Sequence, residues 1–148
     1  LDFKMWVLQG QYQSERDFSF ESLEAAKTRR LNWRNRIAKC YQGYDSNPDF
    51  EEVLVTVRDN LNSPLAFAVI DAAGNGTLEF WQQVDRLFGL DLIASSPKLD
   101  ARQENLLKER AAARKNKDYD LSDQLRSQLI GQGINVLDTP NGQIWQYT

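Results

Sequence analysis

Apolar residues recur at helical spacing along most of this 148-residue chain, which predicts a mainly α-helical fold. We expect helices over residues 1–13, 20–41, 48–61, 64–72 and 77–89. The 64–72 segment is apolar on nearly every side, as expected of a helix in the centre of a bundle. These segments together predict an antiparallel helical bundle.

Three of the four prolines follow a residue whose side-chain oxygen can cap a helix. They stand in the pairs Asn47-Pro48, Ser63-Pro64 and Ser96-Pro97. An oxygen acceptor followed by Pro is a favourable helix start, because Pro lacks an N–H that would be unpaired there. We therefore expect helices to begin near residues 48, 64 and 97.

The pattern changes near residue 97, where we place the boundary between residues 1–96 and residues 97–148. The second part predicts a helix from 97 to about 116 and a helix with leucines at 121, 125 and 129. Two short alternating runs then flank Thr-Pro-Asn-Gly and predict a β-hairpin. Because a lone hairpin is marginal in water, it must pack on these helices. The predicted fold is a helical bundle followed by a small α+β unit.

Composition excludes several function classes. The chain has no His and one Cys, so it offers no Ser-His-Asp triad, no Cys-His pair, no disulfide and no cysteine zinc site. Carboxylates, Lys and Tyr could still perform acid–base chemistry. No apolar run is long enough to span a membrane, and no signal peptide pattern opens the sequence. A binding module is the interpretation that this composition favours.

Charge is unevenly distributed around a net value of −3. Residues 21–40 carry six basic and two acidic side chains, and residues 108–117 carry five basic and one acidic. Each window is either a solvated helix face or a surface for local contact with RNA phosphates. Composition alone leaves both readings open.

Two stretches of the bundle carry a family resemblance. Residues 7–14 read Val-Leu-Gln-Gly-Gln-Tyr-Gln-Ser, and residues 58–68 read Arg-Asp-Asn-Leu-Asn-Ser-Pro-Leu-Ala-Phe-Ala. They resemble segments of cysteinyl-tRNA synthetases that read His-Tyr-Arg-Ser and Asp-Asp-x-x-Asn-Thr-Pro-x-Ala-Leu-Ala. Gln11 and Gln13 stand at the family's His and Arg positions, and Arg58 replaces an acidic residue.

The C-terminal stretch carries the most specific resemblance. Residues 113–119 read Ala-Arg-Lys-Asn-Lys-Asp-Tyr, residues 123–126 read Asp-Gln-Leu-Arg, and residues 133–145 contain Gly-Ile, Asp-Thr-Pro-Asn-Gly and Trp in that order. The family's end is similar: Ala-Arg-x-x-Lys, an aromatic residue, Ala-Asp-x-x-Arg-x-x-Leu, Gly-Ile and Asp-x-Pro-x-Gly-x-x-Trp. The resemblance therefore covers essentially the whole chain.

This resemblance implies the C-terminal half of a cysteinyl-tRNA synthetase, with a class I anticodon-binding-type bundle over residues 1–96 and an anticodon-recognition unit over 97–148. The histidine-containing signature, the Lys-Met-Ser-Lys-Ser signature and the zinc ligands of the family's catalytic domain are absent. We expect the chain alone to be non-catalytic and to hold no cofactor, with ATP and zinc belonging to the parent enzyme. Its expected partners are cysteine tRNA and the catalytic half of the synthetase in the cytoplasm, without DNA or a membrane.

The resemblance also assigns candidate residues. Arg114, Tyr119, Asp123 and Asp138 match family residues that contact the anticodon, and their planar donors, acceptors and aromatic face suit unstacked bases. Four further residues are candidates for contacts to the RNA backbone or for secondary contacts. They are Lys115, Lys117, Arg126 and Trp145.

Each candidate also has a simpler structural explanation. Arg114 is a possible surface helix residue, Asp123 a possible partner of Arg126, and Asp138 a possible turn former. Trp145 is a possible core residue under the hairpin. A structural or protein-interaction bundle that no longer reads RNA is therefore the alternative function, and an independent enzyme is a third reading without support.

Overall fold

A computed structural model describes all 148 residues as seven α-helices and one two-stranded antiparallel sheet, which confirms the predicted fold class. The elements are α1 Asp2–Leu8, α2 Phe20–Tyr41, α3 Phe50–Arg58, α4 Ser63–Ala72, α5 Leu78–Phe88, α6 Ala101–Lys115, α7 Tyr119–Ile130, β1 Ile134–Thr139 and β2 Gly142–Tyr147. None of the helices combines the length and apolar character needed to cross a membrane. The chain divides into two compact units, Leu1–Ser96 and Pro97–Thr148.

Aromatic side chains form the core of the first unit. Trp33 and Trp81 are fully buried with ring centroids 5.8 Å apart, and Phe67 meets the Trp33 ring edge-on at 5.0 Å. Both indole N–H groups are satisfied: Trp33 donates to the Asp71 carboxylate and Trp81 to the Asn75 carbonyl, each at 2.6 Å. Such edge contacts and satisfied N–H groups stabilise a core beyond the area that it buries.

The prediction of a fully surrounded helix at 64–72 is wrong. Ala66, Phe67 and Ile70 of α4 are buried, but Leu65 and Ala68 are exposed. Only one face of this helix packs against the bundle, so some of its apolar side chains remain exposed. A uniformly apolar segment of this length therefore does not by itself indicate a central position.

Two of the predicted helix starts are displaced. Asp49 caps α3 by accepting a bond from Glu51 N at 2.9 Å, so that helix begins at Phe50 and not near residue 48. Asp100 caps α6 in a reciprocal capping box with Gln103, so α6 begins at Ala101 and not near residue 97. In both cases a carboxylate closer to the helix takes the role assigned to the residue before Pro.

The start and end of α5 agree with the prediction. Thr77 accepts a bond from Phe80 N at 3.1 Å, and Gly89 ends the helix with φ +61°, a left-handed conformation that Gly adopts without strain. The first helix is shorter than predicted and ends at Leu8. Beyond the helix end, Arg16 donates a hydrogen bond to the Trp6 carbonyl at 3.0 Å and so satisfies one of the terminal carbonyls of α1.

The second unit packs α6 and α7 against the hairpin. Strand β1 pairs with β2 in the register Thr139↔Gly142, so Pro140 and Asn141 form the loop and the predicted hairpin is confirmed. Leu129 and Val136 lie in its core. The leucine stripe predicted for α7 is partly wrong, because Leu121 is largely exposed and Ser122 is buried in its place.

Candidate nucleic-acid interface

A tight turn joins α6 to α7 and carries one of the predicted basic residues, Lys117. Lys117 N donates to the Arg114 carbonyl at 3.0 Å and Asp118 N to the Ala113 carbonyl at 2.9 Å, which is the pair of bonds of a Schellman C-cap. Lys117 takes the left-handed position of that motif, with φ +61°. The next helix begins at once, since Asp118 caps it through a bond from Leu121 N. The end of one helix and the start of the next therefore lie side by side.

The buried centre of this unit is an arginine. Arg110 has a side chain only 1% exposed, and its two terminal nitrogens donate to the two carboxylate oxygens of Asp138, each at 2.9 Å. This is the planar, bidentate arrangement that gives Arg–carboxylate pairs their strength and fixed geometry. Asp138 therefore has a structural partner that its place in the sequence does not reveal.

A second arginine reaches the same carboxylate. Arg114 Nε lies 3.2 Å from Asp138 Oδ1, and its side chain is 40% exposed. The two terminal nitrogens of Arg114 have no partner within the protein, so their donors are free to meet a ligand. Asp138 lies in strand β1 opposite Gln143 and makes no bond to the hairpin loop, so it is not a turn former.

Three positive charges hold Asp138 in its ionised form. The pKa of its carboxyl is lowered, first by the hydrogen bond from Arg110 and further by the charges of Arg110, Arg114 and Arg126, against an opposing effect of burial. Arg126 thus places its charge near Asp138 from α7, although its buried Nε has no hydrogen-bond partner. The structure therefore brings together three of the predicted residues: Arg114, Arg126 and Asp138.

The exposed face of α7 carries the other two predicted anticodon contacts. Tyr119, the first residue of that helix, is 57% exposed. Asp123 lies one turn further, in a surface depression that it lines with Asp120, Gln124 and two further polar residues of the helix. No ion pair joins Asp123 to Arg126, so the simpler explanation for Asp123 does not hold, and its carboxylate remains available as an acceptor.

The remaining predicted contacts differ in accessibility. Lys115 and Lys117 are exposed at the end of α6. Trp145 is only 8% exposed, and its ring meets Tyr147 edge-on at 5.5 Å between centroids. We therefore assign Trp145 to the core under the hairpin and do not count it among the contact residues.

Sequence reasoning noted Arg110 only as one charge of a basic window. The signal that identifies it is periodicity, because Arg110 falls on the buried stripe of α6 together with Leu106 and Ala113. A charged residue on an apolar stripe predicts a buried ion pair. The spacing does not tell which carboxylate completes the pair.

The basic window of α2 is largely used within the first unit. Arg36 donates to the Ile70 and Asp71 carbonyls at 2.8 and 2.7 Å, where it satisfies the last carbonyls of α4. Arg29 lies 3.1 Å from an Asp71 carboxylate oxygen, and Arg30 pairs with Asp2. These arginines stabilise helix contacts, which is the structural reading of the window.

The residues present do not fit a zinc site. No group of three His, Cys, Asp or Glu side chains lies close enough to hold a metal. The single thiol, Cys40, lies 3.2 Å from the Gly76 carbonyl, and burial raises its pKa. We derive no metal chemistry for this chain.

An exposed aromatic ring, an unpaired carboxylate and a free guanidinium fork on one small unit are the tools with which proteins read unstacked RNA bases. The comparisons with known proteins identify the class. Residues 96–145 match the family model described as the cysteinyl-tRNA ligase anticodon binding domain, which confirms the resemblance seen in the motifs. The second unit therefore belongs to this family of anticodon-binding domains.

The chain as a whole is similar to cysteine–tRNA ligases. It is 30% identical to the ligase of Wolinella succinogenes over an alignment of 174 positions, which includes 97% of this chain and 37% of the relative. It is 32% identical to that of Gluconobacter oxydans over 97% of this chain and 34% of the relative, and 25% identical to that of Treponema denticola over 99% and 39%. The chain thus spans little more than a third of the length of these relatives.

Proposed function

We propose that this chain is the tRNA-binding portion of a cysteinyl-tRNA synthetase and that its second unit reads the GCA anticodon of cysteine tRNA. The ATP-dependent aminoacylation would be carried out by a catalytic part outside these residues, in the cytoplasm. The observation that carries the proposal is the Arg114 guanidinium, which Asp138 anchors through Nε while both terminal nitrogens stay free. It lies within the segment that matches the anticodon-binding family.

The free fork of Arg114 suits a guanine edge. Two parallel donors match the O6 and N7 acceptors of guanine, and the same fork also matches a phosphate. Asp123 supplies the complementary chemistry, because an ionised carboxylate accepts bonds from the amino group of cytosine or adenine. Asp138 has less capacity left, since two N–H donors of Arg110 already occupy its oxygens and Arg114 Nε lies 3.2 Å from one of them. We assign it to holding Arg114, so that its effect on recognition passes through that guanidinium.

Tyr119 provides the stacking face. Its exposed ring stands at the start of α7, next to the turn that carries Lys117. A base stacked on an aromatic side chain contributes about 1–3 kcal/mol without regard to its identity. Lys115, Lys117 and Arg126 add positive charge for the neighbouring backbone. The net charge of −3 disfavours tight non-specific binding to DNA.

Substitution of base-reading and charge residues tests this proposal. Arg114→Ala should reduce the preference of the chain for cysteine tRNA over a transcript with a changed first anticodon base by about 1–3 kcal/mol. Lys117→Met should weaken both transcripts about equally and make the dependence of affinity on salt less steep. An Arg114→Ala variant that weakens both transcripts equally, as Lys117→Met does, would contradict base reading by Arg114.

The alternative is a helical scaffold of the same family that no longer binds RNA. It predicts that neither transcript binds, either to the chain alone or with the catalytic half of a related synthetase supplied. The free donors of Arg114 and the unpaired carboxylate of Asp123 favour the RNA-binding proposal, because both lie in the segment that matches the anticodon-binding family and keep hydrogen-bonding capacity for a ligand.

A further inference from the structure

We propose that Arg110 is a positioning residue for anticodon discrimination: it fixes Asp138 so that Arg114 presents its free guanidinium edge in one orientation. This inference rests on the proposed function of the second unit. Arg110 itself has no access to RNA, because its side chain is only 1% exposed. Its effect on recognition must therefore pass through the groups that it holds.

The hydrogen bonds of Arg110 define what it holds. Both terminal nitrogens donate to Asp138, and Nη1 also donates to Gln143 Oε1 at 2.9 Å. Gln143 Nε2 in turn donates to the Leu107 carbonyl of α6 at 2.6 Å. Because Asp138 and Gln143 are directly opposite in the hairpin, a single guanidinium connects both strands to one turn of α6.

The helix geometry explains why Arg114 depends on this arrangement. Arg110 and Arg114 are four residues apart on α6, so their side chains leave the same face one above the other. Asp138 contacts both, because its Oδ1 accepts a hydrogen bond from Arg110 Nη1 and forms an ion pair with Arg114 Nε at 3.2 Å. Arg114 has no other partner, so Asp138 alone restricts the orientation of its outer edge.

Loss of Arg110 should therefore loosen recognition without removing a contact to RNA. Asp138 would keep only its ion pair with Arg114, and both side chains would gain rotational freedom. A bidentate base contact depends on orientation, whereas attraction to phosphates does not. We expect discrimination between anticodons to fall while the salt dependence of binding stays as it is.

The experiment is a double-mutant cycle on the full 148-residue chain. The probe is a synthetic anticodon stem-loop with GCA in its loop, compared with the same stem-loop with the first anticodon base changed. Arg110→Met should reduce the affinity ratio of the two RNAs about fivefold, the lower end of the discrimination that one bidentate base contact carries. In the Arg114→Ala background, Arg110→Met should leave the remaining ratio unchanged, because the group through which it acts is gone.

Lys108→Met is the matched control, since it removes one exposed charge from the same helix and should not change the ratio. A wild-type chain that does not distinguish the two stem-loops would contradict the proposed function itself. A wild-type chain that distinguishes them, combined with an Arg110→Met variant of unchanged ratio, would overturn only the role of Arg110. Equal losses in both backgrounds would likewise assign Arg110 to folding alone.

Circular dichroism and urea unfolding establish whether each variant is folded. If Arg110→Met unfolds the second unit, Arg110→Lys takes its place in the cycle, because it keeps the buried charge and loses the planar fork. The inference requires that Arg110→Lys also lowers the ratio in the wild-type background and not in the Arg114→Ala background. Full retention of discrimination by Arg110→Lys would overturn it.

Discussion

The Asp138 carboxylate connects two arginines of different character. Arg110 is buried, and its charge is tolerated only because the carboxylate and Gln143 satisfy its terminal donors. Arg114 is exposed and forms an ion pair with the same carboxylate through Nε. Removal of Asp138 would thus leave one guanidinium buried without a counter-charge and release the other into solvent. Asp138 therefore contributes both to the stability of the second unit and to the proposed recognition of RNA.

The lowered pKa of Asp138 predicts a specific dependence of stability on pH. A carboxyl with a lowered folded-state pKa stabilises the fold above its usual pKa of 3.8, and this contribution is lost as the pH falls through the folded-state value. Asp138→Asn should therefore reduce the free energy of unfolding at about pH 6 by roughly 1–2 kcal/mol, less than for a fully buried pair, because Asp138 is partly exposed. The difference from wild type should shrink as the pH is lowered from 3.8 through the folded-state pKa of Asp138.

Urea unfolding of both proteins across this pH range measures the effect. Asp123→Asn is the matched control, because it makes the same carboxylate-to-amide change at a side chain that has no ion pair within the protein. A constant difference between wild type and Asp138→Asn at every pH would contradict the ion pair with Arg110.

At the scale of secondary structure elements, side chains next to the helix ends decide where each helix begins. The sequence identified the cap of α5 and the hairpin loop correctly, because Thr77, Gly89 and the Pro-Asn-Gly turn act through local geometry. It misplaced the start of α6, because two possible caps, Ser96 and Asp100, compete within five residues. The reciprocal bonds between Asp100 and Gln103 decide in favour of the later one.

This competition yields a prediction for two neighbouring alanine substitutions. Asp100→Ala should destabilise the second unit by about 1 kcal/mol, because it removes the acceptor for Gln103 N. Ser96→Ala should cost little, since the buried Ser96 hydroxyl has no hydrogen-bond partner. Thermal unfolding compares the two variants. A larger loss of stability for Ser96→Ala than for Asp100→Ala would indicate that Ser96 caps α6, as the sequence first predicted.

The turn between α6 and α7 offers a second prediction at this scale. Lys117 occupies a left-handed position that favours Gly, so Lys117→Gly should stabilise the unit by about 0.5–1 kcal/mol. It should also weaken RNA binding, because a charge close to the backbone is lost. Opposite changes in stability and affinity would show that the lysine is kept for binding at a structural cost.

Lys115→Gly provides the contrast for that experiment. It removes the same charge from the last turn of α6, where the backbone is helical, and should destabilise the unit by a similar amount. Chemical denaturation and stem-loop binding are measured on both variants. A destabilised Lys117→Gly variant would contradict the strained conformation assigned to Lys117.

At the scale of the whole chain, long-range pairing limits what the sequence predicts. Local patterns gave seven helices and the hairpin, but Arg110 and Asp138 are 28 residues apart and their contact follows only from the folded unit. The basic window of α2 shows the same limit, because its composition suggests phosphate contacts while Arg36 binds carbonyls of α4. The resemblance located the candidate residues, and the fold separates the accessible ones from the buried Trp145.

The central claim is that this chain distinguishes anticodons. The most direct measurement titrates the wild-type chain with cysteine tRNA and with the same transcript carrying a changed anticodon, each at two salt concentrations. We predict that both affinities fall as salt rises and that the preference for the native anticodon persists, because base contacts are less sensitive to salt than phosphate contacts. Equal affinities for the two transcripts at both salt concentrations would contradict the claim.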